Sequence, residues 1–309
     1  MANRVVSSFD IPGVKPVHSG KVRESFKKSV FDPQLLICST DRASAFDVVL
    51  PNPIPDKGIS LNQISAFWFG DKKIQEIIPN HMITIDDGVC LNYLGISGDE
   101  IGVIEALSSR MMLVRNAARI DIECVVRGFL FGSAWGEYKQ TGYVYGYKLP
   151  KGLKKGDGLL EPIFTPTTKE SGHDHPISLG EMKNRFGEEL TWMLAGKSLA
   201  IYNYAAAFAS QRGIIIADTK MEFGEIDGKL ILIDELLTPD SSRFWDRKAY
   251  EETDEIVSFD KQPLRDWLED SGWDKQPPAP ELPRDVVQAT SERYKRIYQL
   301  LTGKHWVRD

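Results

Sequence analysis

The chain has 309 residues, of which 42% are hydrophobic and 27% charged, and its formal net charge at pH 7 is −6. This composition is typical of a globular protein with one large or two modest domains. The negative charge disfavours nonspecific nucleic-acid binding, which requires a broad basic surface. No segment approaches the roughly 18 apolar residues of a membrane span, and the N-terminus lacks a signal-like apolar stretch. We therefore expect a cytoplasmic protein that binds neither membrane nor nucleic acid.

The chain contains three cysteines, Cys38, Cys90 and Cys124, which are far apart in the sequence. No CxxC pair is present, so the spacing indicates neither a disulfide framework nor a zinc site. A reducing compartment is consistent with this usage.

The first stretch with chemical character is Ser19-Gly20-Lys21-Val22-Arg23. Glycine allows main-chain amides to approach a phosphate closely, and the adjacent Lys and Arg supply positive charge. A Gly-Lys pair is more often an ordinary turn, and no Walker pattern is present. By itself this stretch is a weak indication of a phosphate site.

The following segments predict a layer of strands interrupted by one helix. Residues 35–38 predict a buried strand, and the polar loop of residues 39–47 could hold a polar ligand. Residues 59–74 predict an amphipathic helix, while residues 82–119 alternate short apolar runs with Gly and Asp turns and predict antiparallel strands. Within them, residues 110–115 predict a strand that leads to a hinge between domains.

Two stretches in the middle of the chain carry candidate ligand-binding groups. Arg127 and Ser133 are spaced to reach one anion together, although an arginine near aromatic residues more often packs against them. The polar stretch 161–176 predicts a long functional or disordered loop. His173 and His175 lie within it, but without Cys or a HExxH pattern they favour hydrogen bonding over zinc binding.

Further along, Ser178 and Glu181 match a capping box, and a helical pattern follows until Gly213. Residues 238–245 combine hydroxyl groups with Arg243 and resemble a phosphate or oxyanion cradle, or else an ordinary capped turn. Lys261 and Arg265 add cations at the start of a later helix, and a last amphipathic helix spans about residues 284–301.

The chemical centre of the sequence is the stretch 213–235, which predicts a β-hairpin around Asp227-Gly228. Because strand side chains alternate between faces, Asp218, Lys220 and Glu222 should share one face.

The position of Asp234 depends on the loop. A two-residue turn pairs Ile226 with Lys229 and places Asp234 on the wrong face. A three-residue loop pairs Glu225 with Lys229 and places Asp234 opposite Lys220; we favour this register.

Charged strand faces are usually solvated. Here the flanking runs 214–216 and 230–233 are continuously apolar and predict strands that are covered on both faces. Carboxylates between such runs need a cation, and clustered Asp and Glu oxygens suit Mg²⁺.

Taken together, several segments in this order resemble the SAICAR synthetase family (phosphoribosylaminoimidazole-succinocarboxamide synthase), in its single-function form. The resemblance rests on residues 20–24, 39–47, 123–128, 218–224 and 234–243, and extends over almost the whole chain. One departure is the segment 173–176, because an acidic residue often follows the aspartate in the family. Asp174 itself is present.

The resemblance implies an ATP-dependent ligase that joins the carboxylate of the phosphoribosyl imidazole CAIR to the amine of L-aspartate, and it implies ATP and Mg²⁺ as cofactors. A carboxylate is a poor acyl donor, so ATP would convert it into an acyl phosphate. Phosphoryl transfer of this kind requires positioning and charge neutralisation more than covalent help from the protein.

The resemblance also implies roles for individual residues. ATP would contact Ser19, Gly20, Lys21, Val22, Arg23, Val114 and Arg115, with Mg²⁺ on Glu222 and Asp234. Lys220 and Asp218 would lie at the reacting groups, where a cation stabilises developing negative charge. CAIR and the rest of the substrate site would involve Arg127, Ser133, Lys169, Asp174, Ser242, Arg243, Lys261 and Arg265. L-aspartate would contact Asp41, Arg42, Ser44 and Lys57.

The fold implied is α+β, with an antiparallel N-terminal sheet in residues 1–115 and a larger α+β part in residues 116–309, and with ATP bound between them. We expect a monomer or small homo-oligomer. Two other functions use similar residues: a small-molecule kinase, which would stop after phosphoryl transfer, and a non-enzymatic ATP-binding regulatory domain. The missing HRDxxxxN and DFG motifs count against a protein kinase.

Overall fold

The computed structural model describes residues 5–96, 98, 100–169 and 174–306, except the side chain of Asp174. Its elements up to residue 115 are β1 (His18–Ser19), β2 (Arg23–Phe26), β3 (Gln34–Ser39), β4 (Ser44–Ala45), β5 (Val48–Val49), α1 (Lys57–Phe69), α2 (Lys72–Ile77), β6 (Met82–Thr84), α3 (Asp87–Leu94), α4 (Ile101–Leu107) and β7 (Met111–Arg115).

The elements after residue 115 are β8 (Ala118–Phe129), α5 (Gly132–Thr141), β9 (Tyr143–Val144), β10 (Tyr147–Lys148), β11 (Gly158–Phe164), β12 (Thr167–Lys169), β13 (Asp174–Pro176), α6 (Leu179–Phe186), α7 (Glu188–Ser210), β14 (Ile214–Ile226), β15 (Lys229–Ile233), β16 (Ser242–Asp246), α8 (Arg247–Thr253), α9 (Gln262–Asp270) and α10 (Arg284–Thr302).

Two antiparallel sheets organise the described part of the chain, which confirms the predicted α+β class. The first has the strand order β1-β2-β3-β7-β6, and the second has the order β13-β12-β8-β14-β15. In the second sheet β11 also pairs with β8, and β16 pairs with the first half of β14. The long strand β14 is therefore flanked by β8 on one edge, and by β16 and then β15 on the other.

One hydrophobic core extends across both predicted domains. Its buried members include Trp68 on α1, Val114 on β7, Met221 on β14 and Ile297 on α10. The C-terminal helix α10 packs directly against α1. The boundary near residue 115 stays a prediction; at that point the chain passes from the first sheet into the second.

The prediction of antiparallel strands over residues 82–119 is confirmed for β6 and β7, which pair antiparallel, but it is wrong for the segment between them, which forms α3 and α4. The carboxylate of Asp86 caps α3 by accepting a hydrogen bond from Val89 N–H at 2.9 Å. Only one side of this helix is buried, at Cys90 and Tyr93. A short helix of this kind has few apolar positions, so its period is easily mistaken for that of a strand.

Three other boundaries differ from the sequence-based expectation. The predicted helix 59–74 is divided at Gly70 because Asp71 caps a separate helix, α2. The capping box at Ser178 is confirmed, but Gly187, with φ 86°, separates α6 from α7. The predicted loop 161–176 contains the strands β11, β12 and β13, while His173 lies outside the described residues.

The structure contains no helix among the described residues that is both long enough and apolar enough to cross a membrane.

The loop after β3 is fixed by a buried ion pair between Asp41 and Arg110. The two terminal nitrogens of Arg110 donate to the two oxygens of Asp41 at 2.7 and 2.8 Å, and neither side chain is exposed. The same oxygens accept hydrogen bonds from the N–H groups of Val6 and Gly58. Both carboxylate oxygens of Asp41 are therefore held by donors of the protein itself, which indicates a structural role.

We expect Arg110→Met to lower the free energy of unfolding by about 3–5 kcal/mol, because the charge of Asp41 would remain buried without its cation. Urea denaturation measures this loss. Arg119→Met is the control, since its ion pair with Asp121 is about half exposed and should contribute little. Equal losses in the two variants would contradict the prediction.

Candidate active site

A cleft of about 880 Å³ lies between the two sheets. Its walls are the turn at residues 20–23 between β1 and β2, the connection at residues 114–117 between β7 and β8, and charged side chains from β8, β14 and the segment after β15. The connection offers main chain with Val114, Asn116 and Ala117 beside Arg115, whereas the turn carries the cations Lys21 and Arg23, and the third wall combines carboxylates with lysines. The cleft can thus hold a ligand with an uncharged end and an anionic end.

Three carboxylates meet around one ammonium in the charged wall; we call Glu123, Glu222 and Asp234 the acidic cluster. The Nζ of Lys220 lies 2.7 Å from Glu222, 2.9 Å from Glu123 and 4.0 Å from Asp234. Lys169 contacts Glu222 and lies 3.9 Å from Glu123. Because Glu123 and Glu222 are directly opposite on β8 and β14, their charges would repel without these cations.

The hairpin that carries this cluster has a different register from the one we favoured. Ile226 pairs with Lys229, so the turn has two residues. Asp227 and Gly228 both have positive φ, of 51° and 72°, as a type I′ turn requires. The prediction that Glu225 pairs with Lys229 is therefore wrong.

Asp234 nevertheless reaches the acidic cluster, because β15 ends at Ile233. Asp234 itself has φ 69°, in the left-handed region that non-glycine residues rarely adopt. This turn brings its carboxylate to 2.7 Å from Arg23 and 4.0 Å from Lys220. Face alternation along an ideal strand does not apply beyond the strand's last residue.

The charges in this wall stabilise one another. Burial alone opposes charge on each group, but neighbouring opposite charges outweigh it. The carboxylates of Glu222, Asp234 and Glu123 hold the pKa of Lys220 well above its usual value. Arg23 and Lys220 hold the pKa of Asp234 below its usual value. Lys220 and Asp234 are therefore both charged near neutral pH.

His81 is a buried lining residue next to this wall. Burial lowers its pKa to about 4, against the opposing influence of Asp234, so the imidazole is neutral at physiological pH. Its main chain connects the two sheets, because His81 N–H donates to Leu232 on β15 and its carbonyl accepts from Arg115. Its Nε2 has no hydrogen-bond partner within the described residues.

A second charged group surrounds Asp218; we call Arg127, Arg243 and Arg265 the arginine cluster. Asp218 lies directly between Arg127 on β8 and Arg243 on β16, at 3.2 and 2.5 Å. Arg127 also donates to Ser133 Oγ at 3.3 Å, so the two side chains lie side by side; that they bind one anion together stays a prediction.

Arg265 completes the arginine cluster. Its pKa is lowered, first by burial and then by the nearby charge of Arg243, while Asp260 opposes the shift. Three arginines thus face two carboxylates, Asp218 and Asp260. The Nε of Arg243 is buried and has no partner among the described residues. This excess of positive charge and the free donor favour an anionic ligand.

A third group is centred on Asp240, in the loop after β15. Its oxygens accept from Lys57 Nζ and from the Tyr294 hydroxyl, both at 2.6 Å, and Lys261 Nζ lies 3.6 Å away. Lys57 is fully buried, whereas Lys261 and Asp240 line the cleft. Burial lowers the pKa of Lys261 to about 8, although Asp240 opposes this shift.

The lowered pKa of Lys261 predicts a pH-dependent stability. Its ordinary pKa is 10.5, so between about pH 8 and 10.5 the unfolded chain binds more protons at this site than the folded one. In that range Lys261 should increase the free energy of unfolding by up to about 1.4 kcal/mol per pH unit. Below pH 8 both states are protonated and the contribution is constant.

Denaturation of the wild-type protein and of Lys261→Met at pH 7.5, 8.5 and 9.5 measures this contribution. The free energy of unfolding of the wild type minus that of Lys261→Met should increase as the pH rises. Lys275→Met is a matched control, since Lys275 forms an exposed pair with Glu269. A difference that stays constant over this range would contradict the expected direction.

The structure brings many of the predicted site residues together. Those that line the cleft are Gly20, Lys21, Val22, Arg23, Ser44, Val114, Arg115, Lys169, Lys220, Glu222, Asp234 and Lys261. Those found among the described residues but outside this lining are Ser19, Asp41, Arg42, Lys57, Arg127, Ser133, Asp218, Ser242, Arg243 and Arg265. The main chain of Asp174 pairs with Lys169, but its side chain lies outside the described part.

Several cleft residues were not assigned from the sequence. Glu123 is one, although alternation places it on the same face of β8 as Arg127, four residues later, and this signal could have found it. Asp240 lies within the stretch that resembled a phosphate cradle. Tyr294, which lies outside the cleft lining but donates to Asp240, had no local signal, because this contact joins residues distant in the chain.

The cleft with its main-chain turn and acidic cluster, together with the arginine cluster around Asp218 on the same strand, suits an enzyme that acts on anionic, phosphorylated substrates. The SAICAR synthetase family model matches residues 16–280. A phosphoribosylaminoimidazole-succinocarboxamide synthase of Thermodesulfovibrio yellowstonii is 48% identical over 305 residues, covering 97% of this chain and 99% of that protein. The one of Trichlorobacter lovleyi is 48% identical over 304 residues, covering 96% and 98%.

Solved structures agree. SAICAR synthase of Saccharomyces cerevisiae, in complex with SAICAR, has a TM-score of 0.86 and 38% identity, with coverage of 98% of this chain and 99% of that one. A SAICAR synthetase in complex with ADP has a TM-score of 0.66 and 25% identity, with coverage of 94% and 98%. The chain belongs to the SAICAR synthetase family, ATP-dependent ligases of purine biosynthesis.

Proposed function

We propose that this enzyme joins the carboxylate of CAIR to the amine of L-aspartate, with cleavage of ATP to ADP and phosphate. The observation that carries the proposal is the arrangement on β14. Lys220 lies in the acidic cluster, and Asp218, two residues earlier on the same face, lies in the arginine cluster. One strand therefore places groups suited to phosphoryl transfer next to a cradle for an anionic substrate.

ATP fits the cleft with its base near residues 114–117 and its phosphates near the turn at residues 20–23. The connection offers main-chain groups with the side chains of Val114, Asn116 and Ala117, while Arg115 donates to the carbonyl of Asn80. The turn offers main-chain amides, Lys21 and Arg23. The ammonium of Lys21 is held at 2.5 Å from Asp47 and is half exposed. It is therefore available to exchange this partner for a phosphate oxygen.

Glu222 and Asp234 are suited to hold Mg²⁺. Both carboxylates lie within 4.0 Å of the same ammonium, that of Lys220, so they face a common space. Mg²⁺ is commonly bound by one or two carboxylates together with substrate phosphates. Within the described residues, no group of three or more His, Cys, Asp or Glu side chains is arranged to hold a metal ion. When bound, the ion would neutralise charge on the transferred phosphoryl group.

The reaction proceeds in two steps, a phosphoryl transfer followed by an acyl transfer. A carboxylate oxygen of CAIR attacks the terminal phosphorus of ATP; a phosphorus–oxygen bond forms, the bond to the bridging oxygen breaks, and ADP leaves. The aspartate amine then attacks the acyl carbon. A carbon–nitrogen bond forms, phosphate leaves with the bond electrons, and the amine loses one proton. Lys220 stabilises the negative charge on the transferred group in the first step.

The arginine cluster is suited to bind the phosphate and carboxylate of CAIR, and the free Nε of Arg243 supports this assignment. The aspartate site is best sought around Ser44 and Lys261, which line the cleft, with Asp240 and Lys57 fixing the position of Lys261. Asp41 is fully occupied by Arg110 and main-chain donors, so we assign it to the scaffold.

The test combines purified protein, MgATP, CAIR and aspartate, and follows ADP and SAICAR together. We expect equal amounts of both, with SAICAR formation requiring aspartate. A small-molecule kinase would release ADP in amounts that do not depend on aspartate and would make no SAICAR. A regulatory domain would bind ATP without turnover. Either result would rule out the ligase assignment.

A further inference from the structure

The four main-chain carbonyls of the turn at residues 20–23 all accept from one neighbouring segment, residues 40–42, and that of Arg23 also accepts from Gly20 N–H at 2.8 Å. Arg42 donates to the carbonyl of Gly20 at 2.9 Å, to that of Lys21 at 3.1 Å and to that of Arg23 at 3.5 Å. The carbonyl of Val22 accepts from both the N–H and the hydroxyl of Thr40, at 3.0 and 2.8 Å.

This arrangement determines where the N–H groups of the turn point. In a trans peptide unit the carbonyl and the N–H point in opposite directions. The N–H groups of Lys21 and Val22 belong to the peptide units whose carbonyls Arg42 holds, so they point away from the guanidinium. Within the described residues neither N–H donates to another group, and both residues line the cleft.

Arg42 has no donor left for a substrate. A guanidinium carries five N–H donors. Besides the three turn carbonyls, Arg42 donates to the carbonyl of Ser7 at 2.5 Å and to the carboxylate of Glu24 at 2.9 Å. Its side chain is 17% exposed. This full occupancy argues against the expectation that Arg42 contacts L-aspartate.

The segment that carries Arg42 is itself fixed. Asp41 accepts from Arg110 and from the N–H groups of Val6 and Gly58, and its own N–H donates to the carbonyl of Val6 at 2.7 Å. The buried Asp41 pair thus anchors the loop, and the next residue reaches from this anchor to the turn.

We propose that Arg42 is a positioning residue of the nucleotide site, which holds the turn so that the N–H groups of Lys21 and Val22 meet the phosphates. Successive main-chain N–H groups without internal partners are what anion-binding concavities are made of. The affinity that these N–H groups contribute depends on their fixed orientation, because ordering a flexible turn when the ligand binds costs free energy. The inference rests on the proposed use of ATP and adds the group that prepares its phosphate site.

The test measures binding of MgADP and of adenosine to the wild-type protein and to Arg42→Ala by isothermal titration calorimetry. Misplacing two hydrogen bonds to charged oxygens should raise the Kd for ADP about tenfold or more, while the Kd for adenosine, which has no phosphate, stays within about twofold. Equal losses for both ligands would overturn the inference, since they would indicate a general effect on folding.

Arg42→Lys keeps the positive charge but cannot hold three carbonyls with one planar group. We expect Arg42→Lys to bind ADP nearly as weakly as Arg42→Ala does. It can replace the alanine variant in the test if that variant does not fold. Full recovery with lysine would overturn the inference, because charge alone would then be sufficient. Arg247→Ala is a matched control, since Arg247 also donates to a main-chain carbonyl, that of Ser210 at the end of α7.

Steady-state kinetics separate this inference from the proposed function. In Arg42→Ala the KM for ATP should rise, while the KM values for CAIR and aspartate stay close to those of the wild type. A rise in the KM for aspartate alone would overturn the inference and leave the ligase assignment intact. A wild-type protein that made no SAICAR would overturn the ligase assignment, while phosphate-dependent loss of ADP binding would still support the role of Arg42.

Discussion

Lys220→Met is expected to lower kcat/KM about a thousandfold, or about 4 kcal/mol in transition-state free energy, a loss typical for removal of a preorganised charge-stabilising group. Its ammonium is the shared partner of the acidic cluster, at 2.7 Å from Glu222 and 2.9 Å from Glu123. No other cation among the described residues lies within 4.0 Å of all three carboxylates of that cluster. The raised pKa of Lys220 means that the wild-type charge is constant across an ordinary assay range.

The assay for this variant is ADP and SAICAR formation over a range of substrate concentrations, which gives kcat/KM, with ADP binding measured separately to show that the cleft is intact. Lys229→Met is the matched control, because Lys229 lies exposed on the same hairpin. It should retain wild-type turnover. If Lys220→Met bound ADP and turned over within a factor of a few of the wild type, Lys220 would have no role in catalysis.

Glu222→Gln and Asp234→Asn are expected to lower turnover at least about a hundredfold at a fixed, low Mg²⁺ concentration, with partial recovery as Mg²⁺ is raised. Each change replaces a charged oxygen ligand by a neutral amide of the same shape, so the metal affinity falls while the packing is preserved. Asp234→Asn also removes the partner of Arg23 at 2.7 Å, and we expect the larger effect there.

A measurement without turnover separates metal binding from catalysis. Electron paramagnetic resonance of Mn²⁺ with ADP and protein should show weaker ternary binding in both variants. Glu225→Gln, on the exposed end of β14, is the matched control and should bind Mn²⁺ and ADP as the wild type does. Unchanged Mn²⁺ binding in Glu222→Gln and Asp234→Asn would remove these carboxylates from the metal site, whatever their effect on turnover.

The sequence predicted most of the charged wall because strand alternation is a local property. Asp218, Lys220 and Glu222 lie on one strand, and their common face follows from a period of two residues. The position of Asp234 could not be derived in the same way. The two-residue turn places it beyond the paired part of β15, and its left-handed backbone, not the register, directs the carboxylate toward Lys220.

Arg42 illustrates a different limit of sequence reasoning. The resemblance to the family implied that Arg42, in a polar loop with Asp41 and Ser44, contacts L-aspartate. In the folded chain its five donors are used by main-chain carbonyls and by Glu24. Which acceptors surround an arginine depends on segments far away in the sequence, and no local pattern records them.

By itself, the sequence determined the α+β class, the hairpin with its row of charges, and the resemblance to a family of ATP-dependent ligases, since these follow from local periodicity and from ordered motifs. Only the tertiary structure decided which charged groups lie next to one another. It placed Glu123 opposite Glu222, surrounded Asp218 with arginines from two neighbouring strands, and brought Tyr294 from the last helix to Asp240. The physical reason is that electrostatic partnership depends on distance in space, which chain order alone does not specify.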